Sequence, residues 1–167
     1  MFMDEARFGR ISDIRRCWAP QGIRPCVPSQ VVREYLYAYA AICPFDGDLV
    51  ALILPDANTL SMTFFLQELS ETHHDEHIIL ILDKAGWHTA KALNVPTNIT
   101  LHWLPPYSPE LNPVEHLWEE TREKWFRNAY FASLDAVEDR LVDALQHLLK
   151  RPDLVRSMTL FGWMANN

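Results

Sequence analysis

The sequence has few cysteines, no long apolar run and no excess of positive charge. Its three cysteines, Cys17, Cys26 and Cys43, are odd in number and lack CxxC spacing, which argues against a disulfide framework or a zinc site and favours reduced thiols. The longest apolar stretches, 36–45 and 49–55, are too short to cross a bilayer, and charged residues interrupt the N-terminal apolar residues at once. The sequence therefore predicts a cytoplasmic protein that makes no membrane contact.

The formal net charge of −7 argues against a protein that binds nucleic acid unaided, because phosphate binding depends on lysine and arginine. The charge is unevenly distributed, however. Residues 1–33 hold six arginines against three carboxylates, a surplus of +3, so the rest of the chain carries −10. Charge alone leaves open whether this basic region is functional or is ordinary scatter of surface charge.

The 167 residues suffice for one domain with a packed core, since nearly half are apolar and no repeat or low-complexity tract is present. "MFMDEARFGR" is typical of a strand, and "RRCWAPQGIRP" of a strand that leads into a turn or loop. Residues 33–55 predict a hairpin that turns at Asp46-Gly47-Asp48. Residues 59–73 carry apolar side chains at the spacing of an amphipathic helix.

The second half of the chain predicts alternating strands and helices. Ile78–Leu82 is an unbroken apolar run, typical of a central strand that is covered on both faces. It is followed by a predicted short helix near Thr89–Leu93, a strand over 98–105, a helix over Pro113–Arg127 and a helix over 133–151 with Ser133 as its N-cap. This order indicates an α/β layer arrangement with a mixed sheet.

Three carboxylates stand where chemistry could use them: Asp4 on the first strand, Asp83 at the end of the buried strand, and Glu115 near the start of a helix. Ligand sites in open α/β sheets gather at the carboxyl ends of parallel strands. A carboxylate beside a buried sheet needs an arginine or a divalent metal as partner, and its oxygens suit Mg²⁺ or Mn²⁺. Each also has a structural alternative, since Asp4 could pair with Arg7 or Arg10, and Asp83 could cap the following turn.

Glu115 has the strongest structural alternative. In "LPPYSPELNPVEHLW", Asn112 is a candidate N-cap, Pro113 fits the first helical position and Glu115 falls at the third. This is a capping-box arrangement with Asn in place of Ser or Thr. The spacing therefore leaves open whether Glu115 serves the helix, a metal or both.

Four segments together resemble a known family. They are "FMDEARF", "CWAPQGIRP", "LILDKAGWHTAKAL" and "NITLHWLPPYSPELNPVEHLWEETREK". In this order they resemble the catalytic domain of mariner-like DDE transposases, in the bacterial insertion-sequence branch, over roughly residues 1–128. The resemblance implies a ribonuclease H-like α/β fold with a mixed five-stranded sheet flanked by helices. It implies a single catalytic domain over 1–167, with C-terminal helices at about 133–160.

The resemblance also implies that Asp4, Asp83 and Glu115 are the catalytic carboxylates and hold two Mg²⁺ (or Mn²⁺) ions. One position departs from the family pattern. The residue after the second aspartate is often Asn or Gly, and here it is Lys84, which would contact a phosphate or weaken metal binding. Glu119, one turn beyond Glu115, is the substitute candidate for the third carboxylate.

Three further features have competing interpretations. His88 would approach the scissile phosphate or orient a carboxylate, or else pack in the loop on Trp87. Trp103 and Tyr107 could stack on a flipped base, although core packing is favoured. The histidines and acids over 73–77 predict a solvated loop in preference to a separate metal site.

The function implied by the resemblance is metal-dependent DNA strand cleavage and strand transfer, in cut-and-paste transposition of an insertion sequence. The implied partners are transposon-end and target DNA and a second copy of the chain. Because the first carboxylate is at position 4, the helix-turn-helix module of relatives is expected to be absent or separately encoded. The alternative is a catalytically inactive, truncated remnant that only binds DNA or dimerises.

Overall fold

Five strands form one mixed sheet in the computed structural model, which describes residues 1–165. The strands are β1 (Phe2–Ile11), β2 (Val31–Ile42), β3 (Leu49–Leu54), β4 (Ile78–Leu82) and β5 (Ile99–Trp103). Their order is β3-β2-β1-β4-β5, with β2 antiparallel to β1 and β3, and β4 parallel to β1 and β5. The predicted mixed five-stranded sheet and its β2–β3 hairpin are therefore confirmed.

The helices are α1 (Thr59–Thr72), α2 (Val114–Thr121), α3 (Leu134–Leu149), α4 (Pro152–Thr159) and α5 (Gly162–Ala165). The predicted helices over 59–73 and 133–151 are confirmed, and the Ser133 hydroxyl accepts a hydrogen bond from the Ala136 N–H, as an N-cap should. The helix predicted over Pro113–Arg127 is α2 followed by a π-helical turn over Arg122–Phe126. None of these helices within residues 1–165 is long and apolar enough to cross a membrane.

The sheet carries a separate apolar core on each face. Side chains alternate along β1, so Met3 points to one face, where it belongs to the same core as Phe65 of α1. Phe8 points to the opposite face and belongs to the same core as Trp118 of α2. Asp4 has the same parity as Phe8 along the strand, so the fold places its carboxylate on the α2 face of a central strand.

Two predicted elements are wrong. The segment 15–25 forms no strand: it is exposed and irregular, and its prolines remove backbone donors that a strand would need. Residues 89–93 form turns instead of a short helix. So short a helix lacks the length to offset the cost of its first turn, and the Thr89 hydroxyl instead donates to the Ala85 carbonyl.

Candidate active site

Asp4 is held on the α2 face of β1 without a cationic partner among residues 1–165. The indole Nε1–H of Trp118 donates to Asp4 Oδ2 at 3.1 Å. Burial, together with the nearby charges of Glu5 and Glu115, raises the pKa of Asp4 to about 8. A buried carboxyl that other carboxyls crowd is a group that gains from binding a cation.

The prediction that Asp4 pairs with Arg7 or Arg10 is therefore wrong. Arg10 donates to Glu34 at 2.7 Å and to two backbone carbonyls. Arg7 instead lies over the ring of Tyr35, with its guanidinium carbon 4.4 Å from the ring centroid. The Asp4 carboxyl is therefore left for a ligand.

Asp83 follows the last residue of β4, and β4 lies next to β1 in the sheet. Its Oδ1 accepts from the Ala85 N–H at 2.9 Å, so the predicted turn cap is confirmed. The same oxygen lies 2.8 Å from His88 Nδ1. The side chain is nevertheless 61% exposed, so the turn cap occupies only part of its acceptor capacity.

Asn112 fixes the start of α2 against β1. Its Oδ1 accepts from the Val114 N–H at 3.2 Å, and its buried Nδ2 donates to the Met3 carbonyl at 2.9 Å. The backbone N–H of Asn112 donates to the Pro109 carbonyl at 2.9 Å. That N–H is consequently unavailable to Glu115, so Asn112 caps the Val114 N–H from one residue before the N-cap position, which Pro113 occupies, and the reciprocal half of the capping box is absent.

Asp4, Asp83 and Glu115 line one open cavity of about 420 Å³, together with Lys84 and residues of the proline-rich loop 104–109. They come from a strand, a post-strand loop and a helix, so tertiary structure alone brings them together. Within residues 1–165, no three metal-binding side chains are yet close enough to hold one ion. The oxygen-only donor set of these three carboxylates fits Mg²⁺ or Mn²⁺.

His88 is buried between two carboxylates. Its Nδ1 lies 2.8 Å from Asp83 Oδ1, and its Nε2 lies 3.1 Å from Glu5 Oε2. Trp87 donates from Nε1 to the other Glu5 oxygen at 2.8 Å and packs edge-on against His88. Burial alone would lower the pKa of His88, but Glu5 and Asp83 together raise it. The structure thus supports orientation of a carboxylate and, at the same time, packing on Trp87.

Sequence reasoning did not assign roles to Glu5, Trp87 and Trp118. The position of Glu5 could have been inferred locally. It follows Asp4 on β1, and because side chains alternate along a strand, it points to the opposite face of the sheet. The position of Trp118 could also have been inferred locally, since it lies three residues beyond Glu115 on the inward face of α2. The contact between Trp87 and Glu5 could not have been inferred from a local pattern, because 82 residues separate the two.

Other candidates lie at or away from the cavity. Lys84 lines it, whereas Glu119 lines a different groove beside His116. Trp103 packs against the α1 core, but Tyr107 is fully exposed at the cavity rim, so core packing is wrong for Tyr107. In the 73–77 segment, only the His73 side chain is largely covered, with Nε2 3.0 Å from Asp48.

Solved structures of Mos1 transposase share the fold of this chain. A Mos1 paired-end complex with the left transposon end matches 96% of this chain and 55% of the Mos1 chain, with a TM-score of 0.61 and 15% identity. A Mos1 mariner paired-end complex with Mn matches the same shares, with a TM-score of 0.62 and 15% identity. The chain thus spans just over half of the Mos1 chains, and the likeness confirms the ribonuclease H-like fold.

Sequence relatives lead to the same group of proteins. The uncharacterized protein y4pE/y4sA of Sinorhizobium fredii (strain NBRC 101917 / NGR234) is 40% identical over 130 residues, which are 77% of this chain and 96% of that protein. A family model described as DDE superfamily endonuclease matches residues 1–138, a range that includes all three cavity carboxylates. The chain therefore belongs to the DDE superfamily endonuclease family.

Proposed function

We propose that this chain cleaves DNA strands and joins them to target DNA, as the catalytic domain of a transposase that moves an insertion sequence by a cut-and-paste route in the cytoplasm. The observation that carries the proposal is the placement of Asp4, Asp83 and Glu115 around one cavity by three separate elements. Membership of the DDE superfamily endonuclease family and the fold shared with Mos1 transposase support it.

Asp4, Asp83 and Glu115 would hold two Mg²⁺ or Mn²⁺ ions in this cavity. Their oxygens are the ligands that these ions prefer, and one Mos1 complex contains Mn. Bound there, the ions would supply activation of a water or a DNA 3′-hydroxyl and neutralisation of charge at the leaving oxygen.

The protein's own groups prepare the cavity for a phosphodiester. Trp118 fixes one oxygen of Asp4, and His88 fixes one oxygen of Asp83. Lys84 lines the cavity and supplies a positive charge that attracts a phosphate. Rigid prolines in the loop 104–109 keep the wall of the cavity in place, so little ordering is needed when DNA enters.

The proposed partners are transposon-end DNA, target DNA and a second copy of the chain. The likeness to Mos1 paired-end complexes supports these partners. In this scheme residues 1–167 act as one catalytic domain.

The test is Mn²⁺-dependent nicking of supercoiled plasmid DNA by the purified chain, by Asp83→Asn and by Asp75→Asn. Asp75 is a matched control because its side chain is 88% exposed in the 73–77 loop. We expect the parent and Asp75→Asn to nick equally, and Asp83→Asn to be at least about a hundredfold slower, because a metal-binding carboxylate is lost.

Two results would count against the proposal in different ways. Equal nicking by the parent and Asp83→Asn would refute the metal ligands. Failure of a folded parent chain to nick at all would favour the alternative, a truncated remnant that only binds DNA or dimerises.

A further inference from the structure

A second cavity lies farther along β1 and α2 than the carboxylates. Its volume is about 370 Å³, and arginines line it: Arg7, Arg15 and Arg122. The aromatic residues Phe8 and Phe126 that also line it are almost completely buried, so they form its floor. The cavity therefore presents positive charge over an apolar floor.

Two of these arginines are held by aromatic rings and not by carboxylates. The guanidinium carbon of Arg122 lies 5.2 Å from the Phe8 ring centroid, and that of Arg7 lies 4.4 Å from the Tyr35 ring centroid. In the described chain neither arginine has a carboxylate within salt-bridge distance. Stacking orients a guanidinium without consuming its N–H donors, which leaves these donors for an anion.

Arg15 differs from the other two. It is bound to Asp13 at 2.9 Å and to Glu123 at 3.0 Å. Asp13 also lines the cavity, but Arg15 neutralises it. The uncompensated charge on the Phe8 side of the cavity is thus that of Arg122, because Arg7 has the parity of Met3 along β1 and stacks on Tyr35 at the opposite face of the sheet.

The second cavity is aligned with the first one. Phe8 is four residues beyond Asp4 on the same face of β1, a displacement of roughly 13 Å. Arg122 is seven residues beyond Glu115 on one side of the helix, a displacement of roughly 10 Å. Trp118 connects the two, since it donates to Asp4 and packs edge-on against Phe8 with ring centroids 6.0 Å apart.

We infer that the cavity at Arg122 is a second phosphate site, which binds the backbone of the same DNA strand whose phosphodiester enters the carboxylate cavity. This inference rests on the proposed function. A DNA strand advances about 3.4 Å along its axis per phosphate, so the alignment selects a phosphate about three or four nucleotides from the cleaved one. Arginine suits this ligand because its planar fork of donors matches phosphate oxygens.

The experiment measures binding of a fluorescent DNA duplex to the full chain over a range of salt concentrations, in EDTA so that no strand is cut. The variants are Arg122→Gln and Arg122→Lys. Arg151→Gln is the control, because Arg151 is exposed, pairs with Asp153 and lines neither cavity. Melting temperatures verify that every variant is folded.

We expect Arg122→Gln to lower the salt slope of log K by about 1 and to weaken binding on the order of tenfold at about 0.1 M salt. Arg122→Lys should keep the parent slope, because the charge remains, but bind more weakly because the fork is lost. Arg151→Gln should match the parent.

Three results would overturn the inference. If Arg122→Gln matches Arg151→Gln while the parent binds DNA, the cavity is not on the DNA path and the proposed function is unaffected. If the folded parent does not bind DNA at any salt concentration, both proposals fail. If inorganic phosphate stabilises the parent but not Arg122→Gln, with an unchanged salt slope for DNA, the cavity binds a free anion instead.

Discussion

Replacing Asp4 with asparagine should stabilise the metal-free chain, although it removes one of the three carboxylates that we propose to be catalytic. On folding, the pKa of Asp4 rises from 3.8 to about 8 because of burial and the neighbouring carboxyls Glu5 and Glu115. At neutral pH the folded chain therefore binds a proton that the unfolded chain has released. Asparagine has nearly the same shape, keeps an oxygen for the Trp118 indole and carries no charge to bury.

The magnitude follows from the two pKa values. Each pH unit between them changes the folding free energy by about 1.4 kcal/mol, so Asp4 costs at most about 4 kcal/mol at pH 7. Water in the open cavity screens part of this cost, and about 2–4 kcal/mol is the expected gain for Asp4→Asn. The cost is absent below pH 3.8 and grows until the pH reaches about 8, so near pH 4.5 the gain should fall to about 1 kcal/mol or less.

The assay is urea unfolding followed by circular dichroism, at about pH 4.5 and about pH 7.5, with and without Mg²⁺. In EDTA, Asp4→Asn should have the higher free energy of unfolding, mainly at the higher pH. With Mg²⁺ at about a hundred times its Kd, the parent should gain about 2.7 kcal/mol and the variant much less. Asp75→Asn is the control, since its exposed side chain should give no change at either pH.

Either of two outcomes would refute this reasoning. One is a variant less stable than the parent at the higher pH in EDTA, which would mean that Asp4 has a stabilising partner. The other is a difference between parent and variant that does not change with pH, which would mean that the Asp4 carboxyl is not the group that takes up the proton.

Three further predictions concern positioning and packing. His88→Asn, whose amide replaces Nδ1 beside Asp83, should keep more Mn²⁺-dependent nicking than His88→Gln, whose amide replaces Nε2; equal loss would contradict orientation of Asp83 by His88. Asn112→Ala should lower the free energy of unfolding by about 1–3 kcal/mol in urea titrations, since it leaves the buried Met3 carbonyl without its donor. An unchanged free energy of unfolding would mean that this hydrogen bond contributes no stability. Leu141→Ala, at a fully buried site, should cost about 2–5 kcal/mol in the same titration, whereas a loss below about 1 kcal/mol would indicate a loosely packed core.

The sequence predicts most of the fold because the decisive signals are local. The apolar run Ile78–Leu82 and the helical spacing over 59–73 each lie within one element, and the strand and the helix are confirmed. The predicted coverage of both faces of that strand is wrong, because Ile79 is 56% exposed. The strand over 15–25 fails because pairing depends on a neighbouring strand, and none lies opposite this segment. The short helix over 89–93 fails because turns after Asp83 use the same backbone donors.

The site is less predictable than the fold. The spacing of "NPVE" identifies Asn112 as a cap of the helix but cannot show that its N–H donates to Pro109, which leaves Glu115 outside the capping box. The contact of His88 with Glu5 joins residues 83 positions apart, so it exists only once β1 and β4 are side by side. Motif spacing indicates which carboxylates matter, whereas their hydrogen-bond partners follow from tertiary structure.

The hydrogen bond from Asn112 to the Met3 carbonyl fixes two of the three cavity carboxylates relative to each other, but not the third. It joins the start of α2 to the residue before Asp4, so Asp4 and Glu115 belong to one unit of directly bonded elements. Asp83 stands outside that unit, on a loop, with an exposed side chain. The relative position of Asp4 and Glu115 therefore depends on one hydrogen bond, whereas the orientation of Asp83 depends on its separate contacts with Ala85 and His88.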